Sequence, residues 1–465
     1  MQRMSGIDAG MFFAENETRP LQIASVSVFD GPAPTYGEFV RALVARLLGL
    51  PRFRQRVRRV PLDLGRPVWV DDPHFQLLYH VRHTAVPAPG GAEELRNLAG
   101  RVLGQRLDLS RPLWEMWLVE GLEEDRWAII SKVHHCMVDG VGGSDLMTSL
   151  FDLSPGEVPV RDERGPIPLP EAEPEPSRPS LVLAGVVGTT MEQLRQVARL
   201  PELTRHCPAT ARFVRGLPAY ARRLREGRGA SSLNGPTSPH RRWAWTEADL
   251  GEARRISDAL GGTVNDVVLA AVARGFRDLL AERDELRPDT VVRTLVPVSV
   301  RLPDEKGTLT NRVSGVLVSL PCGRPDPLCR HELICRQTTA LKASHQAVGP
   351  TVFTRMLGLA PNVLAVAART ALRMRQPYIQ TITTNVPGPP VPLYAMGRRL
   401  AAIYPYVPLA AGIRVSTGVV SYLDTLYLGI TGDFDAMPDI ELFSRGIRHG
   451  FDELAEAASP DPVVV

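Results

Sequence analysis

A chain of 465 residues, 44% hydrophobic and 23% charged, is composed like a globular protein and is too long for one ordinary core, so two domains are expected. With 54 basic residues against 51 acidic ones the net charge is +3, which argues against a nucleic-acid partner. No run of 18 apolar residues occurs, so no membrane-spanning helix is expected, and residues 1–13, with Asp8 and no long apolar core, do not read as a secretion signal.

Along the chain, residues 23–29 pattern as a strand, and Thr35 with Glu38 three residues later reads as a capping box that opens a helix through Leu48. Residues 79–86 read as a strand, and the nearby His74, His80 and His83 show no clear ligand spacing for a metal. Trp127-Ala128-Ile129-Ile130-Ser131-Lys132-Val133 has the content of a buried strand. Residues 154–180 mix charges with Pro166, Pro168, Pro170, Pro174, Pro176 and Pro179, which cannot fold alone and read as a crossover linker. Helical stretches are expected over 181–200 and 211–228. A second α/β region begins near Arg241, where Thr263 and Asp266 mark a helix start. Val264, Val267, Val268, Ala271, Val272, Leu279 and Leu280 then repeat at helical spacing. Strands follow at 313–320, 379–384, 413–423 and 426–434. The expected division is an N-terminal domain over 1–153, the linker over 154–180, and a helical connector with a C-terminal domain over 181–465.

The strand at 127–133 runs into His134-His135-Cys136-Met137-Val138-Asp139-Gly140. Strand side chains alternate faces, so only one of the two imidazoles can face a shared reaction channel. A histidine titrating near neutrality can take a proton from an alcohol and return it to a leaving group. Asp139, four residues after His135, can hold the ring's tautomer or stabilise the turn through an arginine, and the sequence leaves both open. The same cluster also reads as satisfied polar groups at a strand end. Gly140, Gly142 and Gly143 allow a tight turn. Cys136 reads as a small buried residue rather than a nucleophile. The five cysteines are odd in number and hold no C-x-x-C pair, so neither a disulfide framework nor a zinc site is expected and a reducing cytoplasm is the default.

These residues match the HHxxxDG signature of CoA-dependent acyltransferases and of peptide-synthetase condensation domains. Leu107-Asp108-Leu109-Ser110-Arg111-Pro112-Leu113-Trp114 is similar to the PLW segment of the bacterial wax ester synthase/diacylglycerol acyltransferase family, and Asn265-Asp266 to its ND motif. Pro297-Val298-Ser299-Val300-Arg301 and Asn385-Val386-Pro387-Gly388-Pro389 are similar to two further signatures of that family, and Ile7-Asp8-Ala9 and residues 233–242 also fit. Nearly the whole chain resembles the family, in order.

The resemblance implies an α/β, two-domain fold like chloramphenicol acetyltransferase, with a tunnel between the halves. It implies an acyl-CoA co-substrate, no bound cofactor or metal, and diacylglycerol or a long-chain alcohol as acceptor. His135 would be the base, beside His134, with Asp139 mainly structural. Asn265 is the candidate oxyanion donor, although Asn and Asp at a helix start are ordinary capping residues. Arg301, Arg312 and Ser299 are candidates for the CoA phosphates, since arginine offers a bidentate fork. Gly140, Thr383, Thr384 and Asn385 are candidates for the tunnel wall, and the threonines also read as plain strand residues. Pro112-Leu113-Trp114 reads as packing. Residues 363–375 read either as a segment lying on a lipid surface or as a buried amphipathic helix. The expected location is cytoplasmic, with peripheral contact to the inner face of a membrane or to lipid droplets. Two rivals stay open: a condensation-type enzyme taking its acyl group from a carrier protein, which would favour flanking carrier segments, and a noncatalytic lipid-binding protein that retains the fold.

Overall fold

The structure is a computed structural model that describes residues 1–47, 49–137, 150–156, 171–198, 228–229, 232–299, 313–343 and 378–459. In chain order the first part supplies β1 (Gln2–Arg3), α1 (Gly6–Ala14), β2 (Gln22–Asp30), α2 (Tyr36–Leu47), β3 (Gln55–Arg58), β4 (Val68–Asp71), α3 (Leu77–His80), β5 (Val81–Ala85), α4 (Ala92–Gly104), β6 (Trp114–Leu122) and β7 (Arg126–His134). After these come α5 (Arg178–Ala198), β8 (Arg228–Gly229), β9 (Arg241–Asp249), α6 (Leu250–Leu260), α7 (Val264–Glu282), β10 (Thr290–Ser299) and β11 (Val313–Leu320). The chain closes with α8 (Pro327–Ala343), β12 (Thr381–Val386), β13 (Tyr394–Ala395), β14 (Arg398–Tyr406), β15 (Val415–Tyr422), β16 (Thr425–Asp433) and α9 (Ile440–Ala458).

One six-stranded sheet runs β13-β14-β2-β7-β6-β5. Helices α2 and α4 cover it with Phe39, Leu43, Leu95, Leu98 and Val102, all buried at helical spacing. The capping box of α2 forms as the sequence suggests: the Thr35 backbone N–H and hydroxyl donate to Glu38 at 2.7 and 2.9 Å, and the Glu38 N–H donates back at 3.3 Å. The strand expected from residue 79 starts only at Val81. Before it, α3 turns His80 inward to stack on Trp114 at 4.7 Å, with Nδ1 2.8 Å from the Trp114 carbonyl oxygen. Packing against an indole overrides the strand pattern at that end.

The second sheet runs β11-β10-β12-β15-β16-β9, with β8 paired to β10. Here β12 is parallel to both neighbours, β10 and β15. Helix α7 is buried on nearly every side because α9 closes over it, with Phe276 and Phe443 at 4.3 Å. The remaining expected strands appear within two residues of their sequence bounds.

The halves are not contiguous in sequence. Strands β13 and β14, late in the chain, join the first sheet, with β14 antiparallel to β2. β14 also lies across β16: a Cβ at Gly429 would sit 1.7 Å from the Pro405 carbonyl oxygen, so only glycine permits that approach. Further ties between the lobes run from Arg241 Nη2 to the Thr18 carbonyl at 2.7 Å and from Arg96 to Glu441 at 3.1 Å. Helix α5 begins at Arg178, inside the expected linker, of which 157–170 lie outside the described residues. The expected helix at 211–228, apart from Arg228, and the segment 363–375 also lie outside them. Among the described residues no single helix is long and apolar enough to cross a membrane. The bent pair α6 and α7, 99° apart, has that length and composition, but α7 is core.

Candidate active site

β7, an interior strand of the first sheet between β2 and β6, carries the signature at its C-terminal end. Its pairing with β2 sets His134 opposite Gln22, and the next residue, His135, donates its backbone N–H to the Leu21 carbonyl at 2.9 Å. The His134 N–H goes to Leu113 at 2.9 Å and the Met137 N–H returns to His134 at 2.9 Å, so the turn after the strand is stapled on both sides.

The two imidazoles have different surroundings, as alternation requires. His134 is fully buried, whereas His135 is half-buried. His134 Nδ1 accepts the Cys136 N–H at 3.1 Å, which makes Nε2 the protonated nitrogen, and Nε2 lies 2.6 Å from Glu15 Oε2. Glu15 caps the end of α1 and also binds Arg106 Nε at 2.8 Å and the Leu21 N–H at 3.4 Å. Burial raises the Glu15 carboxyl, but His134 and Arg106 together outweigh it and hold the group below its usual range. One carboxylate therefore fixes both the His134 ring and the Leu21 segment that anchors His135.

Neither Glu15 nor Arg106 is signalled by the sequence, because 119 residues separate Glu15 from His134. The acidic run Glu15-Asn16-Glu17 just after an apolar helix is the only trace.

On the second sheet, Thr263 and Asp266 form the expected cap of α7: Asp266 Oδ2 accepts from the Thr263 N–H at 2.8 Å and its hydroxyl at 2.7 Å. Asp266 is buried in that task. Asn265 stays half-buried in the first helical turn, where its Oδ1 accepts from Asn385 Nδ2 at 3.3 Å. The bond uses the Asn265 carbonyl and keeps its amide N–H groups as donors beside the positive end of the helix. Asn385 is the penultimate residue of β12, and the turn after that strand is tight enough that a Cβ at Gly388 would meet the Ser421 carbonyl at 2.0 Å.

Thr383 is buried, 2.9 Å from the Thr294 hydroxyl, and holds β12 to β10. Thr384 points to the other face by alternation and is half-buried. Ser299 is the last residue of β10, opposite Val313. Asp139, Gly140, Arg301 and Arg312 lie outside the described residues. The structure thus brings Asn265 to Asn385 on one lobe and sets the histidine pair on the other. Pro112-Leu113-Trp114 is packing: Leu113 and Trp114 are fully buried, and the indole N–H donates to the Phe53 carbonyl at 2.8 Å. Among the described residues no group of three or more His, Cys, Asp or Glu side chains is placed to hold a metal ion.

Two mixed sheets bridged by a late strand, with paired histidines at a strand end, define a two-domain α/β fold of the acyltransferase and condensation-domain type. The wax ester synthase/diacylglycerol acyltransferase from Marinobacter aquaeolei VT8 shares it with a TM-score of 0.69 at 24% identity, covering 98% of this chain and 100% of that one. The starter condensation domain of rhizomide synthetase, in a mutant complex with C8-CoA and Leu-SNAC, shares it at 0.57 and 15% identity, covering 99% and 95%. The chain belongs to the wax ester synthase/diacylglycerol acyltransferase family, whose catalytic-domain profile matches residues 4–268 and whose C-terminal-domain profile matches residues 309–455. A probable diacylglycerol O-acyltransferase of Mycobacterium tuberculosis is 36% identical over 452 residues, 96% of this chain and 94% of that protein. A second, putative in name and from the same species, is 33% identical over 487 residues, 99% and 92%. The protein is an acyltransferase.

Proposed function

We propose that the protein moves a long-chain acyl group from acyl-CoA to diacylglycerol, with long-chain alcohols as a second acceptor class, by direct attack with His135 as general base. Diacylglycerol leads because the relatives at 36% and 33% identity carry that acceptor in their names. The CoA donor is supported by the C8-CoA complex of the related condensation domain. His135 removes the proton from the acceptor hydroxyl as its oxygen attacks the thioester carbonyl carbon. The tetrahedral intermediate then loses the CoA sulfur as the carbon–sulfur bond breaks, and the same imidazole returns the proton to that sulfur. Asn265 donates its amide N–H to the oxyanion. Asp139 has a mainly structural part, Arg301, Arg312 and Ser299 take the CoA phosphates, and Gly140, Thr384 and Asn385 line the acceptor path, with Thr383 behind them.

The observation that carries this reading is the division of labour between the histidines. The His134 ring is fully buried and bonded to Glu15 and Cys136, while His135, on the other face of the strand, is only half-buried. Contact with a lipid surface accompanies the hydrophobic acceptors. Leu62, 90% exposed, and Leu183, Val187 and Met191 on the outer face of α5 suit such contact. The test supplies labelled palmitoyl-CoA with dioleoylglycerol or hexadecanol to purified wild-type and His135→Ala protein. Triacylglycerol from wild type alone supports the reading. Equal turnover by the variant, or none by wild type with either acceptor, rejects it.

A further inference from the structure

A cavity of about 700 Å3 opens beside Glu15, on the side of the first lobe where α1, β3 and the start of α5 meet. Its apolar wall includes Phe12, Phe13, Val57, Leu109 and Leu181. Four arginines, Arg58, Arg59, Arg106 and Arg178, stand in the same lining against one carboxylate, Glu15. Two of the four already have acidic partners: Arg106 binds Glu15 at 2.8 Å and Arg58 binds Glu175 at 2.6 Å. Arg59 lies over the Phe13 ring at 5.0 Å, and among the described residues neither Arg59 nor Arg178 has a carboxylate partner. Both are exposed, while Phe12, Phe13, Val57 and Leu181 are buried. Leu109 and Ser110, from the segment read as a PLW signature, complete the wall without any part in the chemistry proposed above.

A partly open pocket with an apolar side and exposed guanidinium groups without carboxylate partners among the described residues matches one ligand chemistry, a single acyl chain ending in an anionic head. The volume lies within the ordinary range for small-molecule sites. Guanidinium pairs carboxylate and phosphate oxygens with two parallel hydrogen bonds, so either head satisfies these arginines. We propose that this cavity is a binding site for an anionic single-chain amphiphile, with Arg59 and Arg178 on the head and the chain along Phe12, Phe13 and Leu109. The head comes from a free fatty acid or from a phosphate-headed lysolipid. The site adjoins Glu15 and is separate from the acyl transfer assigned to His135, so the two ideas fail independently.

The test is displacement of a fluorescent fatty acid from the full-length His135→Ala protein by oleate, 1-oleoyl lysophosphatidate or oleyl alcohol. Both anions should displace the probe, with oleyl alcohol at least about tenfold weaker, the difference expected for losing charge-assisted hydrogen bonds. An Arg59→Ala/Arg178→Ala variant should bind the better anion roughly 10- to 100-fold more weakly. In an otherwise wild-type chain the same pair should leave basal turnover unchanged. Leu109→Trp should weaken the anions by crowding the chain. Preference for oleate assigns the fatty acid, and preference for lysophosphatidate assigns the lysolipid. Equal displacement by oleyl alcohol, or unaltered anion binding by the double arginine variant, overturns the proposal.

Discussion

Glu15 Oε2 lies 2.6 Å from His134 Nε2, and both side chains are almost completely buried. Because His134 Nδ1 accepts from the Cys136 N–H, the ring has one N–H to donate, and the Glu15 carboxylate accepts that hydrogen bond. Glu15→Ala would strand that N–H and unpair Arg106, which should cost about 1–3 kcal/mol in chemical denaturation. The pH dependence has a definite sign. The folded Glu15 carboxyl titrates below its ordinary value of 4.5, since His134 and Arg106 overcome the opposing effect of burial. Its stabilising contribution is therefore complete above the unfolded value and lost as pH falls through the folded one. The stability gap between wild type and Glu15→Gln should stay flat at neutral pH and close on acidification. A gap that widens in acid would remove Glu15 as the ionised anchor.

The two histidines should separate in the two readouts that matter. His135→Ala should lower kcat by about 10²- to 10⁴-fold, the range for losing a general base, and leave the denaturation midpoint nearly in place. His134→Ala should shift the midpoint by about 1–3 kcal/mol, because Glu15 and the Cys136 N–H lose a buried partner. Its residual activity should keep the wild-type pH profile, since the proposed base, His135, is still present. A profile displaced in His134→Ala would instead give the first histidine a share in proton transfer.

How far the sequence reaches is shown by particular residues. Local chemistry was legible: Thr35 with Glu38 and Thr263 with Asp266 sit within one helical turn, and both pairs form their caps. The strand leading into His134 was legible from its β-branched run. What a tertiary contact decides was not. His80 leaves the strand pattern because it packs on Trp114, and β14 can lie across β16 only because Gly429 leaves room for the Pro405 carbonyl, a contact between distant parts of the chain. The signatures stand out as motifs, yet no linear pattern pairs Glu15 with His134, 119 positions away. Asp266 stood out as the cap partner of Thr263, whereas the contact between Asn265 and Asn385 was hidden, since 120 residues separate them.

That contrast gives a test on the second lobe. Asp266 is committed to Thr263, so Asp266→Ala should cost about 0.5–2 kcal/mol of stability, the range for a lost cap. Asn265→Ala leaves the cap intact and should lower kcat by about 10²- to 10³-fold with little change in KM, as for loss of an oxyanion donor. Asn385→Ala releases the Asn265 carbonyl and should lie between wild type and Asn265→Ala in kcat. Steady-state kinetics on the three variants decides. A rise in KM alone for Asn265→Ala would move that residue from the transition state to ground-state binding.

Cys136 stands next to the proposed base, and a covalent route through its thiol makes a competing demand that can be measured. Burial, then the charges of Asp8 and Glu15, push the thiol well above its usual range, so at neutral pH it is protonated and a poor nucleophile. Iodoacetamide should therefore label the half-buried Cys329 and Cys335 before Cys136, as read by peptide mass spectrometry. Cys136→Ala should retain turnover, and wild-type protein quenched during reaction with palmitoyl-CoA should carry no acyl group on the peptide containing Cys136. An acylated Cys136 would replace direct attack with a two-step transfer and make His135 the activator of a thiol rather than of an alcohol.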